Sequence, residues 1–212
     1  MRTCRQYPFL LVILLGLSTS ASSFELPRDL PAREEGLWVI DQIGTISDGK
    51  TTFDIQKIWN ICLDAKADHA LHELELREQQ ASVASHNETC EEPQSKLSDN
   101  SLSWTMHCSG PSPIEDKIGK TYIQHSTTFL ASDEARSESV IVNRDNLIQS
   151  RGSFVTRMKR LGACQDSLQP GDMMLMHWRV NGEETLKGRQ SRNIYSEIAN
   201  HIEFTKSRLA QQ

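Results

Sequence analysis

The 212-residue sequence has no P-loop, no GxGxxG fingerprint, no CxxCH haem site, no HExxH pair and no GxSxG elbow. Those absences remove the nucleotide-, dinucleotide- and haem-binding classes that short motifs announce. Without an elbow, Ser109-Gly110 and Gly152-Ser153 lack the strained turn that activates a serine nucleophile, so a hydrolase is the weakest of the readings considered. Basic runs and basic–aromatic interleaving are also missing, as are internal repeats and low-complexity tracts. The longest apolar run, Phe9–Leu17, is about half of the roughly 20 residues that a membrane-spanning helix needs.

That short run has its own meaning. Arg2 and Arg5 precede it, and the small residues Ser18–Ser23 follow it, which is the order of a secretory signal peptide. Cleavage is expected after Ala21 or Ser23, which discards Cys4 and leaves no transmembrane anchor in the mature form. Losing Met1–Ala21 removes two arginines and no acid, so the formal charge moves from −5 to −7, with 21 basic residues against 28 acidic. A net acidic chain argues against nucleic acid or anionic lipid as a partner held by bulk charge. Four cysteines remain: Cys62, Cys90, Cys108 and Cys164. An even count in an oxidising compartment predicts two disulfides. Their separations of 28, 18 and 56 residues do not fit the close pairs of a zinc site. Four cysteines allow three pairings, and spacing alone leaves all three open.

Local patterns predict an α+β domain. Leu37–Ile61 reads as a hairpin about Asp48-Gly49, a turn that needs the positive φ glycine tolerates. Asp64 can cap a helix over Asp64–Ala84, in which Ala67, Leu71 and Leu74 recur at helical spacing. Ser85–Asn100 is polar and reads as a loop. Period-2 alternation then marks strands in Ser101–Cys108, Thr121–Leu130 and Phe154–Leu161, with a β-branched stretch at Ser139–Val142 and a turn at Asn143–Asn146. After Cys164, Met174–Val180 alternates again, Asn181-Gly182 is a turn signal, and Arg192–Leu209 is an amphipathic closing helix. The expected architecture is a curved antiparallel sheet of about six to eight strands, packed with one internal and one C-terminal helix. The expected boundaries are a signal peptide over 1–21, an irregular lead-in over 22–35, a β-rich domain over 36–164 and an extension over 165–212.

The landmarks Gly36-Leu37-Trp38, Cys62-Leu63, Cys90, Trp104, Cys108 and Arg160-Leu161-Gly162-Ala163-Cys164 stand in a characteristic order. In this layout the chain resembles the bacterial domain-of-unknown-function family 3617, a group of exported proteins, over roughly Glu35–Cys164. It departs from the family's pattern at Glu35, where proline is usual, and in the 48 residues beyond Cys164. The resemblance implies a periplasmic or envelope location, no assigned activity, and pairing of Cys90 with Cys108 and of Cys62 with Cys164. On a chain-entropy estimate such bonds contribute about 3 and approaching 5 kcal/mol respectively.

The most metal-like cluster is His69, His72, Glu73 and Glu75 (HALHELE), where i and i+3 share a helix face. No third ligand accompanies it, so a solvated helix face is the favoured reading, and neither metal nor cofactor is expected. His107 and His125 fall on predicted strands and read as structural. Trp38, Trp59, Trp104, Met106 and Phe129 could line an apolar pocket on the sheet, as could Trp178 and the methionines at 173, 174 and 176. Their simpler reading is core packing. Two functions follow: a non-catalytic envelope protein that binds a small apolar ligand or lipid, or an envelope protein-interaction module.

Overall fold

The computed structural model describes residues 26–111, 118–144 and 149–211. The signal-peptide segment and part of the Asn143–Asn146 turn lie outside them. In chain order the elements are β1 (Gly36–Ser47), β2 (Thr52–Leu63), α1 (Ala65–Ala84), β3 (Thr89–Cys90), β4 (Gln94–Ser98), β5 (Ser101–Pro111), β6 (Ile118–Ala131), β7 (Glu134–Arg144), β8 (Gln149–Gly162), β9 (Asp172–Val180), β10 (Glu183–Glu184), β11 (Gln190–Asn193) and α2 (Ile194–Leu209). All strands join one open sheet in the order β10-β9-β2-β1-β8-β7-β6-β5-β3, with β11 on β9 and β4 on β5.

Local chemistry sets the elements. Between β1 and β2 the Asp48 carboxylate accepts from the Lys50 and Thr51 backbone N–H groups, and Gly49 takes φ 85°. Asp64 caps α1 by accepting from Ala67 N–H at 2.7 Å. From α1 the chain crosses to the far edge, and β5 to β8 return as a meander until β8 pairs with β1. Then β9 pairs with the opposite edge of the hairpin, on β2.

The strand count corrects the expectation of six to eight: there are eleven. The excess is four edge pieces of two to five residues. Two of them, β3 and β4, lie in Ser85–Asn100, which its polarity marks as a loop. An edge strand needs only backbone partners, so hydrophobic alternation is not required of it. Here Asp99, at φ 51°, turns β4 back onto β5.

Both helices lie on one face. The first half of α1 places Ala67, Ala70, Leu71 and Leu74 on Trp38, Ile40, Ile61 and Met158. Further along, Leu76 and Val83 pack on Trp104, Met106 and Ile123. The helix therefore lies across the sheet. Residues 165–212 share this core through Met173, Ile194 and Ile198. Disulfides join Cys62 to Cys164 and Cys90 to Cys108. On the other face, Leu37, Cys62 and Leu168 make a small cluster under the first of these. Among the described residues no helix is long and apolar enough to cross a membrane.

Candidate functional site

Residues paired across neighbouring strands share a face, so the register reads out what α1 covers. One row is apolar: Trp59, Ile40, Met158, Ala135 and Phe129. The next is polar across five strands: Lys57, Gln42, Thr156, Ser137 and Thr127. A third runs Ile55, Gly44, Phe154, Ser139, His125 and Trp104. Gly44 has a steric reason: a Cβ there would meet the Phe154 ring and the Ser153 carbonyl, each at 2.4 Å.

Onto these rows α1 lowers Glu75. Its Oε2 lies 3.4 Å from His125 Nε2 and 3.5 Å from His72 Nδ1. His125 is 4% exposed and held on every side. Its Nδ1 is 2.7 Å from Ser139 Oγ, and its Nε2 is 2.9 Å from Thr127 Oγ1, which in turn is 2.8 Å from Ser137 Oγ. The Trp104 ring stacks on the imidazole, with centroids 4.8 Å apart and planes 11° apart. His72 meets Phe129 edge-on at 5.7 Å, and neither of its ring nitrogens has a hydrogen-bond partner. Burial alone would raise the Glu75 carboxyl. The positive charge that His125, and after it His72, can place beside the carboxyl outweighs burial and holds it far below the usual carboxylate range.

Beside this cluster a cleft of about 90 Å³ opens between α1 and the sheet. Its apolar walls are Ile40, Trp59, Ile61, Leu71, Leu74 and Met173; Gln42, Lys57, Glu75, Glu78 and Thr156 supply polar atoms. Burial pushes the Glu78 carboxyl up to about 6, against the pull of Lys57 and Arg192 and with the help of Glu75. By accessible surface, however, the Glu78 side chain is exposed, and solvent screens part of that rise. At the mouth, Lys57 Nζ sits 5.2 Å over Trp178 and the Arg192 guanidinium 5.6 Å over Trp59. Two wider hollows lie on the helix-free face: about 510 Å³ beside Ile43 and Val155, and about 590 Å³ beside His107 and Tyr122. Both are lined by strand residues, and the first is the more open of the two.

The five aromatic and methionine residues singled out for a pocket are spread over three clusters. Trp38 is fully buried, its indole N–H donating to the Glu34 carbonyl at 3.0 Å beneath the Arg33 guanidinium. Trp104 and Met106 pack on the far half of α1, and Phe129 packs with Leu26 and Leu102. Trp59 alone of the five lines the cleft. The HALHELE cluster divides: His69 is exposed and Glu73 pairs with Arg77, whereas His72 and Glu75 turn inward. Among the described residues no group of three His, Cys, Asp or Glu side chains has metal-holding geometry. Sequence reasoning passed over Lys57, Glu78, Thr127, Ser137 and Thr156. The available signal was the alternation of Ile123, His125, Thr127 and Phe129, which puts a histidine and a threonine on the same inward face as two large apolar side chains.

A family model described as "Protein of unknown function (DUF3617)" matches residues 33–164. The chain belongs to this family. No curated protein and no solved structure matches it. The DUF3617 match contains β1 to β8 and α1, and with them His72, Glu75 and His125. The cleft residue Met173, and Trp178 and Arg192, which contact the cleft residues Lys57 and Trp59, stand on β9 and β11, beyond the matched span.

Proposed function

We propose that the protein is an exported, non-catalytic binding protein that holds a small, mainly apolar ligand or lipid between α1 and the sheet. The observation that carries this reading is the cleft itself. Its lining combines apolar walls with a few converging polar groups, as small-molecule sites do, around a space of about 90 Å³ that admits one end of a ligand. The sheet also continues past α1 as Ile55 and Phe154, with Ile46 39% and Phe53 40% exposed. That apolar strip gives an acyl or isoprenoid chain a surface to lie on once its head is in the cleft. Two disulfides and the N-terminal charge–apolar–small pattern support an oxidising compartment beyond the inner membrane.

The test uses the mature, oxidised chain titrated with long-chain lipids and quinone-like compounds. A bound ligand should shift the tryptophan emission and raise the melting temperature, and Trp59→Phe should remove most of the emission change while keeping the stabilisation. A panel that moves neither signal would count decisively against ligand binding. N-terminal sequencing of the protein recovered from the periplasm checks the export half: a start other than Ser22 or Phe24 would displace the expected cleavage.

A further inference from the structure

We propose that His72, Glu75 and His125 form an acid-released latch that holds α1 against the sheet at neutral pH. Two of the three groups are on α1 and the third is on β6, so the contact joins the two layers directly. A single carboxylate oxygen serves both imidazoles, at 3.4 and 3.5 Å. One imidazolium beside that carboxylate is a neutral assembly and can stay dry. A second imidazolium leaves a net positive charge in the interface, and burying an uncompensated charge is strongly unfavourable.

The surroundings do not compensate it. From β5 the cluster meets the Trp104 ring, from β6 the Thr127 hydroxyl and the Phe129 edge, and from β7 the hydroxyls of Ser137 and Ser139. Thr156 on β8 and the Lys57 cation on β2 lie along the same polar row. On α1, Glu78 is one turn further along, and Asp68 is taken up by Arg33 of the lead-in. From the C-terminal segment Arg192 is paired with Glu197. Glu78 is a further carboxylate on the same cleft as Glu75, and because its carboxyl is pushed up to about 6 it loses charge as the medium becomes acidic. His72 adds a second reason. With no hydrogen bond on either nitrogen, it is held in place by packing and by the Glu75 charge.

The experiment is hydrogen exchange on the mature, oxidised chain between about pH 7.5 and about pH 4.5, corrected for intrinsic exchange. Protection of α1 amides should fall by about ten-fold or more in acid, reversibly, while β6 to β8 stay protected. His72→Gln keeps the Glu75–His125 pair but cannot take the second proton, and should flatten the response. His69→Gln, at the exposed histidine of the same helix, should leave it unchanged. Should His72→Gln fail to fold, histidine ring NMR on the wild type decides: His72 and His125 titrating in two coupled steps, in the range where α1 opens, supports the latch. Unchanged α1 protection in acid, a full response in His72→Gln, or two independent titrations would overturn it.

Discussion

Glu75 and Glu78 border one cleft, and their charges are answered differently. Glu75 is stabilised as an anion by two imidazoles, whereas Glu78, one turn later, has only a partial counter-charge in Lys57 and Arg192. The difference gives a test with a definite sign. The Glu78 carboxyl is raised from 4.5 to about 6 in the fold, so between those values the native state holds more protons than the unfolded chain. Stability from this group is therefore present below about 4.5 and is lost as the pH rises through about 6. Glu78→Gln should stabilise the protein at about pH 7.5, by under about 1 kcal/mol once solvent screening is allowed for. It should be neutral near pH 4, where glutamine mimics the protonated acid. Urea melts at the two values check this, and an equal gain at both would contradict it.

Helix α1 packs on the sheet along its length, through Leu71 and Leu74 in its first half and through Leu76 and Val83 further along. Leu76 is fully buried against Trp104 and Met106, so Leu76→Ala should cost about 3 kcal/mol. Removal of the cap by Asp64→Ala should cost only about 1 kcal/mol. Denaturant midpoints of the two variants give the comparison; a cap variant as damaging as the leucine variant would mean that α1 is held mainly from its N-terminus. This helix was legible in advance, since a cap and an i, i+3, i+4 pattern are local features. So was the β1–β2 hairpin, whose Asp48-Gly49 turn makes its bonds within four residues. The edge strands β3 and β4 were not legible, because what defines them is the free backbone of β5 and no side-chain pattern of their own.

As a whole the molecule depends on its last 48 residues, although the family match ends at 164. Strand β9 covers the edge of β2, while Ile194 and Ile198 of α2 complete the main core. A chain ending after Cys164 would leave the Ile55–Ile61 edge unpaired and α1 bare on its outer side. Such a truncation should associate or aggregate more readily than the chain that keeps residues 165–212, as light scattering will report. A truncated chain that remained dispersed with its thermal stability intact would show that the segment is dispensable.

Composition, cysteine count and local periodicity were enough to establish a stapled α+β chain with a capped helix and a central hairpin, since each depends on neighbours within a few positions or on a simple inventory. They could not establish that Glu75 would meet His125, 50 residues later, nor that Lys57 would sit over Trp178. Those meetings follow from the angle at which α1 lies across the sheet and from the pairing of β9 with β2. Both are set by how large side chains pack between layers, which is a property of the assembled molecule and of no single stretch of its chain.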